Sequence, residues 1–249
     1  MSGHSKWATI KHKKGAADKA RGKLFAKLTR QIEVAAREGG GDVDTNPTLR
    51  TMVTKAKSAQ MGNDAIDRAI KRGTGDTDGV AYEAVTYEGY APGGVALLID
   101  VLTDNRNRAG AEVRSVFSRL GGSMAEPGSV GWQFSRKGVV LVPRSFGEDD
   151  VMLAALDAGA DDIVDEGDTW RVTCDPAELE HVRTAIESAG ISVTSAESTM
   201  ISSTTVPITS ADEAKKVLRI MDALEEQDDV QDVYSNFDIP DDILSTVSV

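Results

Sequence analysis

The spacing of hydrophobic residues changes along the chain, and each change predicts a different kind of folded unit. Between residues 16 and 72, apolar residues recur every three or four positions, which is typical of amphipathic helices. Residues 81–134 contain alternating or continuous apolar runs that indicate strands around one helix. From residue 138 onward, short strand and helix patterns alternate. The chain is therefore predicted to be an α+β protein that begins with a helical unit.

The first region predicts three helices. One spans residues 16–38 and ends at three consecutive glycines, which carry a high conformational cost in a helix. Its buried stripe is expected to comprise Leu24, Leu28, Ile32 and Ala35, with Phe25 beside it. Thr45 or Asn46 caps the second helix before Pro47, and Asn63 caps the third.

The second region predicts two strands, at residues 81–90 and 95–103. The latter is a nearly continuous apolar run, as expected for a strand at the centre of a sheet. Asp104 or Asn105 caps a following helix whose arginines are expected to lie mostly outside. These arginines are Arg106, Arg108, Arg114 and Arg119. A glycine-rich hairpin or loop at residues 121–130 comes next, with Met124 expected at its tip.

The third region, residues 138–196, spells strand, helix, strand, strand, helix, strand, with the last strand expected at residues 191–195. This is the split ferredoxin-like pattern. The tail, with a strand at 200–208, a helix and a strand ending at 237, is expected to complete the sheet begun at 81–134. The fold predicted is thus an N-terminal three-helix domain followed by two ferredoxin-like α/β domains, the third inserted in the second. The boundaries expected are 1–79, 80–134 with 200–249, and 135–199 for the insertion.

Charge divides the chain further. The formal net charge is −12, yet residues 1–72 carry +9 and residues 145–249 carry −20. The first thirty residues contain nine Lys and Arg against one acid. A cationic block on an acidic protein is typical of proteins that bind phosphate backbones. We therefore interpret the amino-terminal region as a nucleic-acid interface and the acidic end as solvated surface.

The candidate contacts form an arm and a helical stripe. Residues 1–14 show no apolar period and predict an extended arm that becomes ordered on its partner. The candidate residues of the arm are His4, Lys6, Trp7, Lys11, His12, Lys13 and Lys14. Those of the first helix are Lys19, Arg21, Lys23, Lys27 and Arg30, most of them on a stripe opposite the apolar one. Trp7 either stacks on a base or docks the arm onto the first helix.

Other classes of function are not supported by the residues present. The three histidines have no ligand partner at helical spacing, and Cys174 is expected to be a buried, inert thiol. Neither a nucleophile beside a base nor a phosphate-loop spacing is found. No run has the length of a membrane span, and the start lacks a secretory signal. We therefore expect a cytoplasmic protein without catalytic residues, metal or cofactor.

Short motifs spread over residues 3–134 resemble those of the YebC family, which includes the mitochondrial translational activator of cytochrome c oxidase. They include Gly3-His4-Ser5-Lys6-Trp7, Ile10-Lys11-His12-Lys13, Arg21-Gly22-Lys23, Tyr87-Glu88-Gly89-Tyr90, Pro92-Gly93-Gly94, Thr103-Asp104-Asn105 and Gly128-Ser129-Val130. The resemblance implies a non-enzymatic protein with a helical head and two α/β modules. It also implies either a DNA-binding transcriptional regulator or a ribosome-associated factor that helps translation through stretches such as consecutive prolines.

The residues leave the partner open between DNA and ribosomal RNA, with the ribosome itself as a further candidate. No helix-turn-helix spacing is found, so DNA binding is expected to be driven by the backbone, whereas a cationic arm suits structured RNA. The glycine-rich loop is either a second contact element or a plain turn. The candidates in this loop and the helix before it are Arg106, Arg108, Gly121, Gly122, Ser123, Met124, Gly128 and Ser129. The alternative function is a protein–protein adaptor that uses the acidic modules, and a monomer is favoured.

Overall fold

The structure, a computed structural model, describes residues 17–75 and 82–247. Helices precede two antiparallel sheets, so the predicted α+β class is confirmed. Helices α1 to α8 span Ala17–Gly39, Pro47–Ser58, Asn63–Thr74, Arg106–Leu120, Glu148–Leu156, Leu179–Ser188, Ala211–Glu225 and Asp241–Thr246. Strands β1 to β10 span Glu83–Ala91, Val95–Thr103, Ser123–Ala125, Phe134–Pro143, Ala160–Asp165, Thr169–Cys174, Ser195–Ser202, Val206–Pro207, Val230–Ser235 and Phe237–Asp238.

Helices α1, α2 and α3 form a helical unit around one apolar core. Its buried residues include Leu28, Ile32, Ala35, Ala36, Leu49, Val53, Ala56, Ile66 and Ala69. Leu24 is 45% exposed, so the predicted stripe is wrong at that position, and Phe25 packs against the core instead. The predicted cap at Asn63 is also wrong, because Asn63 is the first residue of α3 and Gly62 is its N-cap.

Asn46 joins the end of α1 to the start of α2. Its side chain is buried, and Oδ1 accepts the backbone N–H of Leu49 at 3.0 Å, which confirms it as the cap of α2. Its Nδ2 donates to the carbonyls of Ala35 and Gly40, both at 2.8 Å. One side chain therefore satisfies polar groups at both helix ends.

The first sheet has the strand order β3-β1-β2-β9 with antiparallel pairing throughout. Strand β2 is buried along nearly its whole length, which confirms the prediction of a central strand. Helices α4 and α7 contribute their apolar residues to the core on one face of this sheet. Strand β9 follows the second sheet in the chain, so the first sheet is assembled from segments on both sides of the second.

The second sheet has the order β5-β6-β4-β7, again antiparallel, with α5 and α6 packed against it. This is the arrangement expected for the ferredoxin-like pattern. The last strand lies at Ser195–Ser202, not at residues 191–195 as predicted. The predicted strand at 200–208 is also wrong, because residues 200–202 end β7 and only Val206–Pro207 forms β8. The cause is composition, since β7 consists mainly of small polar residues and pairs with β4 without an apolar run.

The other face of the first sheet contacts the start of the second. Ala96, Leu98 and Tyr234 form a small buried cluster with Val130 and Phe134. A cleft of about 660 Å³ lies beside this cluster and is lined by residues of the helical unit and of both sheets. Residues of the three parts of the molecule therefore line one cleft of mixed polar and apolar character.

Candidate functional site

Two lysines of the basic stripe of α1 lie against the end of α7. Lys23 Nζ donates to the carbonyl of Glu226 at 2.9 Å, and Lys27 Nζ donates to the carbonyl of Glu225 at 3.1 Å. Carbonyls in the last turn of a helix lack partners within it and carry partial negative charge, so the two lysines are stabilising there. The prediction that these lysines contact a phosphate stays a prediction, and the structure adds that each of them also bonds to a backbone carbonyl near the end of α7.

Asp229 is the centre of this contact. The residue is 4% exposed, and its carboxylate accepts hydrogen bonds from Arg30 Nη1 at 2.9 Å, Arg108 Nη2 at 2.7 Å and Thr103 Oγ1 at 2.7 Å. Burial would raise the pKa of Asp229, but the hydrogen bonds from Arg108 and Thr103 and the charge of Arg30 hold it below its usual range. Arg30 also donates to the carbonyl of Asp228 at 2.6 Å. The structure thus brings together Arg30 and Arg108, which the sequence places in separate contact elements.

A pocket of about 410 Å³ opens beside Asp229. It is lined by Arg30, Tyr82, Asp104, Arg108, Glu112, Glu226, Gln227, Asp228 and Asp229. Arg108 also pairs with Asp104 at 2.6 Å, and the Arg30 guanidinium lies 5.7 Å from the centroid of the Tyr82 ring. Five carboxylates and two guanidiniums line the walls, so the pocket does not offer a phosphate a net positive charge.

The remaining predicted residues of the amino-terminal region are less fully described. Arg21 donates to Gln60 Oε1 at 2.9 Å, and its guanidinium lies 5.6 Å from the centroid of the Phe25 ring. Lys19 belongs to α1, and its side chain lies outside what the structure describes. The arm residues His4, Lys6, Trp7, Lys11, His12, Lys13 and Lys14 lie outside the described residues as well.

The glycine-rich loop is mostly a connection between α4 and the first sheet. Gly121 adopts a left-handed conformation (φ 83°) at the end of α4, and a Cβ on Gly122 would lie 2.7 Å from the Phe117 ring. Ser123 and Met124 lie in β3, where Met124 pairs with Gly89 and packs against the core. The prediction of Met124 at a loop tip is wrong, because pairing with β1 draws it into the sheet.

The rest of this loop is held by one carboxylate. Glu88 is buried on β1, where Oε1 accepts the N–H of Gly128 at 2.7 Å and Oε2 accepts those of Val130 at 2.6 Å and Gly131 at 3.0 Å. Burial would raise the pKa of Glu88, but these backbone donors lower it. Ser129 is fixed between these donors, and its carbonyl accepts the Tyr90 hydroxyl. Gly128 and Ser129 therefore belong to an ordered loop, and Arg106 is exposed at the start of α4.

Four cations that sequence reasoning left without a role are exposed on the helical unit. They are Lys55 and Lys57 on α2 and Arg68 and Lys71 on α3. Their side chains form no hydrogen bond or ion pair with another residue of the described ranges. The sequence analysis did not identify these four cations because they form no continuous stripe. On α3, Arg68 and Lys71 also follow the acids Asp64 and Asp67. The available signal was on α2, where no acid lies within one turn of either lysine.

Several other features bear on the class of function. Cys174 is buried, as predicted, and burial raises the pKa of its thiol. Among residues 17–75 and 82–247, no group of three or more His, Cys, Asp or Glu side chains is arranged to hold a metal ion. Within the same residues, every helix is too short or too polar to cross a membrane.

Comparisons with known proteins cover nearly the whole chain. One family model, described as the TACO1/YebC protein N-terminal domain, matches residues 5–76, and another, the TACO1/YebC second and third domain, matches residues 82–237. Proteins named "Probable transcriptional regulatory protein" from Thermobifida fusca and Rubrobacter xylanophilus are 57% and 56% identical over 250 residues, covering 100% of this chain and of each relative. The crystal structure of a conserved hypothetical protein from Aquifex aeolicus is similar with a TM-score of 0.77 and 43% identity, covering 90% of this chain and 92% of that one. The resemblance seen in the motifs is thereby confirmed.

Proposed function

Because the chain belongs to the TACO1/YebC family, we propose that it is a non-enzymatic regulator of gene expression that acts by binding nucleic acid. The names of its relatives, which are probable transcriptional regulatory proteins, support the regulatory part of this proposal. The segregation of charge supports the nucleic-acid part, since residues 1–72 carry +9 in a chain of net charge −12. The proposed partner is DNA or ribosomal RNA, bound by a cytoplasmic monomer.

The observation that carries the proposal is the set of exposed cations on α2 and α3. Lys55, Lys57, Arg68 and Lys71 form no ion pair among the described residues, so phosphate oxygens can approach them without breaking a contact to any of those residues. Each phosphate that a cation neutralises releases counterions from the nucleic acid, which favours binding at moderate salt. We propose that these residues act together with Arg21, Lys19 and the cations of residues 1–14.

We also propose that the parts of the chain have different roles. Residues 1–79 form the binding head, residues 80–134 with 200–249 form a second domain, and residues 135–199 form a third domain inserted in it. Lys23, Lys27 and Arg30 have the structural task of fixing the head to the end of α7. The acidic remainder repels phosphate and so orients the head toward the nucleic acid.

Salt dependence of binding tests the proposal. Binding of the full chain to fluorescent duplex DNA and single-stranded RNA of one length is measured by anisotropy at several salt concentrations. A Lys57→Gln, Lys71→Gln variant is expected to reduce the log–log salt slope by about 0.9 per lost contact on duplex DNA and about 0.7 on single strands. The control is Lys215→Gln, Lys216→Gln, which removes two exposed lysines from α7. Equal slopes for both variants would contradict the proposal for the helical unit.

Crosslinking in cells followed by sequencing of the bound nucleic acid distinguishes the two targets. Ribosomal RNA reads support a role in translation, and promoter fragments support a role in transcription.

A second candidate function, a protein–protein adaptor, is favoured by one observation on α5. Met152, Leu153 and Leu156 are exposed there, next to the acidic first turn of the same helix. An apolar patch rimmed by acids fits a basic protein segment. Ribosome association that survives deletion of residues 1–14 but is lost on Leu153→Asp would favour the adaptor.

A further inference from the structure

We propose that Trp132 is a stacking site for an unpaired nucleobase, an inference that rests on the proposed function and names a contact within it. The Trp132 side chain is 72% exposed, whereas Trp170 is buried. A tryptophan that stays in water forgoes the stabilisation its large apolar surface would gain by burial. An exposed indole held in a fixed position is therefore a candidate contact for a ligand.

The ring is bonded to a backbone carbonyl that belongs to a well-anchored loop. The indole Nε1 donates to the carbonyl of Ser129 at 3.1 Å, and the Tyr90 hydroxyl donates to the same carbonyl at 3.2 Å. The residues around Ser129 are fixed by the Glu88 carboxylate through the N–H groups of Gly128 and Val130. Because the indole N–H is already bonded to this carbonyl, less conformational entropy is lost on ligand binding than for a side chain without such a bond.

The neighbours of Trp132 in the chain anchor it further. Val130 and Phe134 are buried, and Gln133 is buried with its Oε1 accepting the Nδ2 of Asn236 at 2.9 Å. The chain on each side of Trp132 is thus part of the interior, and the indole alone projects from this short segment. Within residues 130–134 the indole is a single exposed side chain and not part of an apolar strip.

The chemistry of the exposed ring restricts what can bind. An indole has one polar group, the N–H donor, and here that donor is already bonded to Ser129. The ring offers its π faces, which pair best with another flat, polarisable surface. Nucleobases have such faces, and base–aromatic stacking does not require a particular base. A base within a duplex is already stacked on both sides, so the ligand is a base in a single strand or loop.

With this assignment, the second contact with nucleic acid lies at Trp132 and not in the glycine-rich loop at residues 121–130. The glycine-rich loop was predicted to present Met124, but Met124 packs against the core from β3. Trp132 is the large apolar side chain of this region that extends into solvent. The loop contributes by positioning the indole through Glu88 and Ser129.

The test compares full-length variants on two probes, a single-stranded RNA and a fully paired RNA duplex of the same length. Trp132→Ala is expected to weaken binding to the single strand about 5- to 150-fold, the equivalent of about 1–3 kcal/mol for one stacked base. Trp132→Phe should retain most of the affinity, because it keeps an aromatic face. The salt slope should not change in either variant, because no charge is lost. The control is Ser192→Ala, which changes an exposed, uncharged residue between α6 and β7.

Fluorescence gives a second, independent readout. In a Trp7→Phe background the remaining tryptophans are Trp132 and the buried Trp170. Addition of the single strand should quench the emission, and the quenching should disappear when Trp132→Phe is added.

The possible results separate this inference from the proposed function. If the wild-type chain binds with a steep salt slope but Trp132→Ala binds equally well and no quenching occurs, the stacking site is overturned and the proposed function stands. Equal weakening on the duplex and the single strand would also overturn it. If the wild-type chain binds neither probe nor duplex DNA at any salt concentration, both proposals fail. A urea midpoint equal to that of wild type shows that Trp132→Ala is folded, as expected for an exposed ring.

Discussion

Replacement of Asp229 by asparagine is expected to weaken the attachment of the helical unit to the first sheet. The carboxylate accepts hydrogen bonds from Arg30 of α1, Arg108 of α4 and Thr103 of β2. Asparagine has nearly the same shape, but it carries no charge and has one acceptor oxygen where the carboxylate has two. Its amide nitrogen would face one of the donors. The change therefore removes the charge and at least one hydrogen bond without leaving a cavity.

The expected loss is about 2 kcal/mol of unfolding free energy. A hydrogen bond to a charged group contributes about 1.5–3 kcal/mol when both partners are shielded from water. Here the Asp229 side chain is 5% exposed, but those of Arg30 and Arg108 are 23% and 45% exposed. Water can therefore solvate the guanidiniums after the substitution, which reduces the loss. The Thr103 hydroxyl is buried, and it can donate to the side-chain oxygen of asparagine at position 229 as it does to the carboxylate.

Urea denaturation measures this loss, and Asp228→Asn is the matched control. Asp228 is exposed, and its carbonyl, not its carboxylate, accepts the bond from Arg30. Both substitutions remove one negative charge at neighbouring positions, so only the buried contact differs between them. Combination with Arg30→Gln completes a double-mutant cycle, in which a coupling of about 0.5 kcal/mol or more is expected for residues in contact. Equal midpoints for Asp229→Asn and Asp228→Asn would refute the reasoning.

The dependence on pH gives a further check. Because the native pKa of Asp229 is lowered, its contribution is complete above the ordinary Asp value of about 3.9 and is lost as the pH falls through the native pKa. The difference in unfolding free energy between wild type and Asp229→Asn should therefore be constant from about pH 5 to 7 and shrink below about pH 4. A difference that persists unchanged into strong acid would show that it does not come from the ionised carboxylate.

Three substitutions and one chemical reaction test other parts of the structure. Glu88→Gln should destabilise by about 1–3 kcal/mol and speed amide exchange at residues 128–131, measured by hydrogen-exchange mass spectrometry; unchanged exchange would argue against the carboxylate as the anchor. Gly22→Ala should raise the free energy of unfolding by about 1 kcal/mol, because Gly22 lies on α1 with open space around it. Gly122→Ala should lower it by about 1–3 kcal/mol, because the added Cβ would lie 2.7 Å from Phe117. Thermal denaturation measures both changes, and shifts of the same sign would contradict this expectation. Cys174 should react with a thiol reagent at mildly alkaline pH much more slowly in the native protein than in urea, because it is buried with a raised pKa; similar rates would disprove this.

Much of the fold follows from local patterns in the sequence. Strand β2 was predictable because its apolar run has one favourable environment, the centre of a sheet, and α2 because Asn46 and Pro47 form a strong start signal. Strand β7 was misplaced because residues 195–202 are mostly small and polar, and their conformation depends on pairing with β4, a strand far away in the chain. Local periodicity cannot detect that pairing.

The candidate site was harder to predict, for a related reason. Periodicity identified the polar face of α1 but not what packs against it. The acceptors for Lys23 and Lys27 are backbone carbonyls 203 and 198 residues further along the chain, and a carbonyl has no signature in the sequence. Glu88 presents the same difficulty, since its partners are backbone N–H groups. The charge pattern therefore indicated a binding surface on α1, whereas Lys23 and Lys27 also form contacts that stabilise the fold.

The cations of the helical unit consequently fall into two groups with different physical tasks. Lys23, Lys27 and Arg30 are half-buried and form hydrogen bonds to the end of α7 and to Asp229. Salt therefore screens these three charges less than it screens exposed charges. A nucleic acid that binds them has to compete with these existing hydrogen bonds. Lys57 and Lys71 are exposed and form no ion pair within residues 17–75 and 82–247, so a phosphate can bind them without displacing a contact to those residues. For the first group, the energetic gain from a phosphate is offset by the loss of the contact to the acidic half of the chain. Phosphate binding is therefore favoured at the exposed cations of α2 and α3. The contacts of Lys23, Lys27 and Arg30 hold the helical unit that carries these cations against the part of the molecule that contains the two sheets and Trp132.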